Sequence, residues 1–387
     1  MSQALLQDGL AAPIQTPVDL LVVAGEHSGD EHAARVVREL RARRPELNIC
    51  ALGGPRLAAA GAQLLGDLTV SSSMGFAVLS KLSYYRSLIA QVVRWVGVHR
   101  PRAVCFVDSS GLNLRIARGM FDRGFSAKAG GPTQALYYIS PQIWASRAGR
   151  RFAMARHLDG MAAIFPFEPA VYADTKLPVD FVGHPFVAPD YVAPVAFDPL
   201  GPVLLLPGSR KQVVARIFPV LLEAYRQSGA SRPAVVLYPS QEILAVLQAA
   251  NPAGGLKFQS IAEGGARPNL PVGASAVLTA SGTMSMHCAL AGIPGAIAYR
   301  TDPLTYFLGR LLVKVDFIGI ANLLLREAMY PEFIQGAAAA PVLAAQLRDC
   351  LENPARRAKT EAQAQRLRTL LAQPAQGTAA DWLARRL

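Results

Sequence analysis

An aspartate, Asp108, closes the apolar run AVCFV at residues 103–107, and strand propensity gives no reason for an acid at that position. A carboxylate held at the carboxyl edge of a buried strand and partly removed from water has its pKa raised, toward the range in which it accepts a proton from a hydroxyl group. Capping of the following helix is the plainer role, and the residues alone leave both open. Anion chemistry is signalled further along the chain. In LLLPGSRKQ a strand meets a tight turn and a helix start, so the N–H groups of Gly208, Ser209 and Arg210 are available to an anion. The Arg210 guanidinium adds a fork suited to phosphate oxygens. TASGTMSMH repeats the device with Ser281, Gly282 and Thr283, and two such turns in one domain point to a diphosphate. The chain has neither the G-x-x-x-x-G-K-[ST] phosphate loop nor a G-x-G-x-x-G after its first strand.

Further polar residues stand in otherwise apolar text. IANLLLREAMYPEFIQG carries Asn322, Glu332 and Gln335, read either as ligands near the diphosphate or as capping groups. AGEHSGD offers Ser28, Gly29 and Asp30 as a hydroxyl-binding turn, or as an N-cap. In SPQIWASRAGRR, Trp144 stands amid Arg147, Arg150 and Arg151, a grouping that can stack on a base or hold a phosphate, while core packing is the commoner fate of a Trp. His184 in FVGHPF could meet a ligand or a carbonyl. The histidines show no H-E-x-x-H spacing and no D-x-D pair is present, so the expected chemistry needs no metal. The four cysteines lie far apart in apolar settings without a C-x-x-C pair, which reads as buried thiols of a reducing compartment.

These residues must be positioned by a recurring unit. VDLLVVAG followed by a helix from about Glu31 to Arg44 is strand, loop and helix. The same order returns at 103–108, 135–140 and 160–165 and, after a break, at 203–207, 234–239, 275–280 and 295–300. Apolar runs without alternation, interleaved with helices, indicate parallel sheets covered on both faces. The break holds Pro185, Pro189, Pro194, Pro199 and Pro202 and reads as a linker. The expected fold is therefore α/β, two Rossmann-like doubly wound domains. A first domain spans 1–188, a Pro-rich linker 189–202, a second domain 203–345 and a helical tail 346–387. Ligands of such folds bind at the carboxyl ends of the strands, so a cleft between the two domains is expected.

With 387 residues, 51% hydrophobic and 17% charged, the chain is neither disordered nor a coiled coil. Its net charge of +12 is concentrated where acids are missing, between Asp67 and Asp108 and between Asp122 and Asp159. Such stretches suit a phosphate-bearing ligand, an anionic membrane surface or nucleic acid; no recognition-helix or aromatic-sheet signature supports the last. KLSYYRSLIAQVVRWV, residues 81–96, sets Leu82, Tyr85, Ile89, Val92, Val93 and Val96 at helical spacing, a stripe for a membrane surface or for the core. The uncharged stretch between Arg267 and Arg300 is broken by prolines and reads as strand, turn, helix and strand rather than a membrane span. No Lys or Arg precedes Arg35, so the n-region of a signal peptide is missing and a cytoplasmic location is expected.

In order along the chain, AGEHSGD, LGGPRLAAAG, SMGF, FVDSSGLN, YYISPQIWA, FPFE, FVGHPF, LLPGSR, ASGT, AYR, RLLVKVDFIGIAN and PEFIQ resemble the lipid-A-disaccharide synthase family from about Asp19 to Gln335. The resemblance implies a GT-B-type inverting glycosyltransferase, with an acceptor-binding domain over 1–188 and a nucleotide-sugar-binding domain over 203–345. Such an enzyme moves a 2,3-diacylglucosamine from UDP to the 6-hydroxyl of a 2,3-diacylglucosamine 1-phosphate, at the inner face of the cytoplasmic membrane, with the UDP-sugar as donor substrate and no cofactor. It implies Asp108 as the essential aspartate and Arg210 as the essential arginine, with Ser281, Gly282, Thr283, Asn322 and Gln335 on the donor side. The chain departs from the family where His287 replaces a Glu after the SGT turn, and at Val213, Ala77 and Gly111. The other classes open to this architecture are a relative that binds a UDP-sugar without turnover or uses another acceptor, and a UDP-sugar epimerase. The epimerase needs a second acid beside Asp108, which the sequence does not reveal.

Overall fold

The computed structural model describes residues 9–69, 78–251, 254–261, 270–302, 306 and 315–387, with side chains from Ser83 onward in the segment that starts at Val78. The SMGF motif, Ala77, the side chains of Lys81 and Leu82, and part of RLLVKVDFIGIAN lie outside the described residues. The chain divides into two compact units, Met1–Pro185 with Gln373–Leu387, and Phe186–Ala372.

In the first unit the order is β1 (Leu20–Ala24), α1 (His27–Arg43), β2 (Ile49–Gly53), α2 (Pro55–Ala59), β3 (Gln63–Asp67), α3 (Val78–His99), β4 (Ala103–Val107), α4 (Ser110–Asp122), β5 (Gln134–Tyr138), α5 (Arg150–His157), β6 (Gly160–Ala163), α6 (Glu168–Val171) and β7 (Val179–Phe181). The strands form one parallel sheet in the order β3-β2-β1-β4-β5-β6-β7, whose order reverses between β1 and β4. The central strands β1 and β4 are buried at every position, as LLVVA and AVCFV require of strands covered on both faces. Parallel pairing puts all the strand ends at one edge, so the turns after β1 and β4 are neighbours there.

In the second unit β8 (Val195–Phe197), β9 (Val203–Leu206), α7 (Lys211–Ser228), β10 (Ala234–Tyr238), α8 (Gln241–Ala249), β11 (Lys257–Ser260), β12 (Val272–Ala274), β13 (Ala276–Thr279), α9 (Thr283–Leu290), β14 (Gly295–Tyr299), α10 (Ile320–Leu325), β15 (Glu332–Ile334), α11 (Ala340–Glu352) and α12 (Pro354–Leu371) follow. The main sheet runs β11-β10-β9-β13-β14-β15, again parallel. The Pro-rich segment is not bare linker: β8 lies inside it and pairs in parallel with β12. Pro194 and Pro199 flank that short strand without interrupting it, and the Pro194 carbonyl accepts the Val272 N–H at 2.9 Å.

The expected tail does not begin at 346, which falls within α11. The last residues form α13 (Ala379–Ala384), which belongs to the first unit, where Asp180 of β7 accepts the Trp382 indole N–H at 2.8 Å and an Arg386 N–H at 2.9 Å. The α3 stripe is core: Val92, Val93 and Val96 are buried against the sheet, with Tyr85 and Ile89 packed beside them. Each of the four thiols is buried. Among the described residues no helix is long and apolar enough to cross a membrane.

Candidate active site

At the carboxyl edge of the first sheet the backbone is strained. Asp108 (φ 50°) and Ser109 (φ 42°) follow β4 in the left-handed region, and Ile139 (φ 66°) follows the adjacent β5 in the same region although its side chain is β-branched. Such residues persist only where their surroundings hold them. The buried Asn113 amide donates to the carbonyls of Val107 (3.1 Å) and Asp108 (2.9 Å), and the Tyr137 hydroxyl donates to the Asp108 carbonyl as well. The Asp108 N–H is bonded to the Tyr138 carbonyl at 3.1 Å. The backbone is thus clamped from three sides while the half-buried carboxyl group projects from it.

Burial is the main reason that the Asp108 pKa is pushed up to about 6, with the charge of Glu26 adding to the rise and the Ser109 N–H opposing it. Asp108 does not cap α4; that position belongs to Ser109, whose side chain makes no capping bond. Glu26 is the second acid that sequence reasoning missed. It lies in the turn after β1, beside β4, and is exposed. The two turns approach closely, since a Cβ at Gly25 would stand 2.9 Å from the Ser109 hydroxyl oxygen. A signal was available: Glu26 is the only residue of AGEHSGD whose acid follows a buried strand as Asp108 does.

The remaining residues of that motif are placed differently. α1 begins at His27, so Ser28, Gly29 and Asp30 form its first turn rather than a loop ahead of it. Asp30 is 2% exposed and turns inward, where its carboxylate accepts the N–H groups of Gly54 (2.8 Å), Arg56 (3.1 Å) and Leu57 (3.2 Å) at the start of α2. This is a cap supplied from a neighbouring helix, and it occupies both oxygens. Asp30 is therefore a structural anchor of α2. Gly29 is buried, with the place of its absent Cβ 3.5 Å from the Val107 carbonyl oxygen, and Ser28 is half-buried.

In the second unit the two anion turns are adjacent. Gly208 turns at φ 100°, its open side 3.7 Å from the Ala280 Cβ, and the Ala280 N–H donates to Leu206 at 2.8 Å. Gly208, Ser209, Arg210, Gly282 and Thr283 are exposed and Ser281 is half-buried, at the starts of α7 and α9. Helix starts leave N–H groups unpaired by the helix, and positive partial charge accumulates there.

Asn322 is fully buried and Glu332 and Gln335 are half-buried, and the polar atoms of all three hold nearby backbone. The fully buried Asn322 amide donates to the Tyr330 carbonyl (2.7 Å) and to Glu332 (2.8 Å), and accepts the Tyr330 N–H (3.0 Å). Glu332 accepts the N–H groups of Ile318 (2.8 Å) and Gly319 (2.9 Å), and the Ile318 carbonyl accepts the Ser281 hydroxyl (2.9 Å). Asn322 and Glu332 thereby position the Ser281 turn. The Gln335 amide clamps Thr301 by accepting its N–H at 2.9 Å and donating to its carbonyl at 3.1 Å.

His287 is buried on α9, where its Nε2 lies 3.2 Å from the Tyr191 hydroxyl and its ring packs 4.1 Å from Phe186. It is a packed histidine in an aromatic group of the second unit. Trp144 meets Phe165 and Phe167 edge-on, and His184 packs on Phe165 at 5.3 Å. Below them the fully buried Glu168 accepts the N–H groups of Ile164 (3.2 Å) and Phe165 (3.0 Å), and burial raises its pKa to about 7.

Comparison with known proteins fits this geometry. A family model described as lipid-A-disaccharide synthetase matches residues 20–386. A lipid-A-disaccharide synthase of Geobacter metallireducens is 34% identical over 363 residues, covering 91% of this chain and 92% of the relative. One of Myxococcus xanthus is 36% identical over 331 residues, covering 83% and 84%. Solved structures share the fold at low identity. A putative UDP-N-acetylglucosamine 2-epimerase of Listeria monocytogenes has a TM-score of 0.62 at 13% identity, covering 96% of both chains. Os79 of O. sativa, in complex with UDP, has 0.61 at 12% identity, covering 95% of this chain and all of that one. The calicheamicin glycosyltransferase CalG4 has 0.55 at 14%, covering 96% and 98%. These likenesses establish the two-Rossmann-unit architecture and do not separate transferase from epimerase; the sequence relationship does. The chain belongs to the lipid-A-disaccharide synthetase family of glycosyltransferases.

Proposed function

We propose that the protein transfers a 2,3-diacylglucosamine from UDP to the 6-hydroxyl of a 2,3-diacylglucosamine 1-phosphate, inverting the anomeric carbon to form a β-1,6 disaccharide and UDP. The observation that carries the mechanism is Asp108, a clamped carboxylate with its pKa raised to about 6 at the edge where ligands of doubly wound sheets bind. Ionised above that pH, Asp108 draws the proton from the acceptor hydroxyl as the oxygen attacks the anomeric carbon. The carbon–oxygen bond to the diphosphate breaks, and its electron pair leaves with UDP. On this reading the charge on the departing diphosphate is met by Arg210 and the N–H groups at 208–210 and 281–283. The roles of Asn322 and Glu332 are to hold the second of those turns in place.

Acylated sugars reside in a bilayer, so the same reading places the protein at the inner face of the cytoplasmic membrane, with its basic stretches toward anionic headgroups. The test is UDP release from UDP-diacylglucosamine plus the lipid monosaccharide phosphate. Asp108→Ala should abolish release and keep UDP binding, whereas Arg210→Ala should weaken UDP binding. UDP binding without turnover on the lipid acceptor would refute the transferase reading in favour of a silent relative. Isomerisation of the sugar nucleotide without acceptor would refute it in favour of an epimerase, for which Asp108 and Glu26 supply two acids.

A further inference from the structure

The turn after β5 is built with more strain than a connection needs. Ile139, with φ 66°, stands beside Asp108 and Ser109 at the ends of paired strands, so non-glycine residues in the left-handed region gather at one edge. From Ile139 the chain passes Trp144 and Arg147 (φ 62°) to Arg150, the first residue of α5, whose N–H is bonded to the Arg147 carbonyl at 3.0 Å.

Arg150 and its neighbour Arg151 are treated differently by the fold. Arg151 is held by both oxygens of Asp174, at 2.7 and 2.6 Å. Arg150 is half-buried, and among the described residues no carboxylate pairs with it. Its charge acts on the hydroxyl groups of Tyr137 and Tyr172, and Tyr137 donates to the Asp108 carbonyl. Tyr172 in turn shares a hydrogen bond of 2.9 Å with Ser140 in the strained turn. A guanidinium that has lost part of its water without gaining a counter-ion is poised for an anion. Arg150 opens the helix that follows β5, the strand paired with the one that Asp108 follows.

We infer that Arg150, with the exposed Arg147 one turn before it, binds the phosphate monoester of the acceptor sugar and so selects a phosphorylated acceptor. The inference rests on the transferase reading: the acceptor is the substrate that Asp108 deprotonates, and the donor diphosphate is assigned to the second unit. A phosphate monoester presents oxygens that a guanidinium fork takes in pairs, which a lysine cannot reproduce.

Two measurements test it, on the full chain. The first compares kcat/KM for the acceptor 1-phosphate with that for the same sugar lacking the phosphate. Arg150→Ala should lower the ratio about 10- to 100-fold, and Arg150→Lys should restore only part of it. An unchanged ratio, with an unchanged melting temperature to show that the variant folds, would overturn the inference. The second needs no turnover: binding of glucosamine 1-phosphate, followed by broadening of its phosphorus resonance, should be lost in Arg150→Ala. Loss of this binding in a protein that transfers no sugar would refute the transferase reading and keep the phosphate site; retention would refute the site. Anionic phospholipid vesicles separate the remaining source of phosphate. Weaker vesicle binding by Arg150→Ala with an intact acceptor ratio would assign the cation to the bilayer and overturn the inference.

Discussion

Replacing Asp108 by Asn should make the protein more stable and inactive at once. The carboxyl pKa is about 6 in the folded protein, against an ordinary 3.8, so the folded state holds the proton more tightly than the unfolded chain does. Folding stability from this group is therefore intact below pH 4 and is lost as pH rises through 6. At pH 8 the ionised carboxylate costs about 3 kcal/mol, the free energy that corresponds to this difference in pKa; at pH 5 it costs roughly half as much. Asn has nearly the same shape and carries no charge. It also adopts the left-handed conformation more readily than most residues, and the clamps from Asn113, Tyr137 and Tyr138 act on the backbone, which the substitution leaves alone. Denaturant unfolding of Asp108→Asn and the natural protein at both pH values is the assay. The variant should gain about 3 kcal/mol at pH 8, a gain halved at pH 5, while sugar transfer disappears. A variant less stable at pH 8, or a gain independent of pH, would show that the carboxylate is not held out of water as the structure has it. The natural protein should lose kcat/KM below pH 6 with the titration of one group, because the base must be ionised.

Asp30→Ala removes the acceptor of three backbone N–H groups at α2 and should cost about 3–5 kcal/mol, seen as a lower melting temperature, with kcat/KM per folded molecule nearly unchanged. A normal melting temperature with a tenfold higher acceptor KM would return Asp30 to the binding site. Asn322→Ala should likewise destabilise by about 2–4 kcal/mol, and the structure expects a disordered Ser281 turn to weaken UDP binding as a consequence; weaker binding with intact stability would mean direct contact. Gly208→Ala meets nothing closer than 3.7 Å, so its cost is conformational, about 1–2 kcal/mol, and should appear as reduced UDP affinity if the turn opens to relieve it.

The parts of this protein that were legible in its sequence are those governed by local physics. Fully buried parallel strands must be continuous apolar runs, which made LLVVA, AVCFV and VLLL readable, and an acid or a Gly-Ser-Arg turn at the end of such a run stands out. Short strands at the sheet edges, such as β11 and β15, and β8 among its prolines, carry no such run and take their identity from the strand they pair with. The same limit explains the site. Asp30, Asn322 and Glu332 have the residue types of ligands, yet a carboxylate or amide is equally suited to a bare helix start or an unpaired turn, and only the distant partner decides. Glu26 and Arg150 invert the case. Their local sequence offers only a weak signal, an acid after a buried strand in one and a basic cluster around Trp144 in the other. What sets them apart is a like charge brought close to Glu26 and a carboxylate that pairs with Arg151 and not with Arg150. Asp108, whose burial raises its pKa to about 6, is a residue that the fold keeps at a cost in stability, at the edge where the proposed chemistry needs a base.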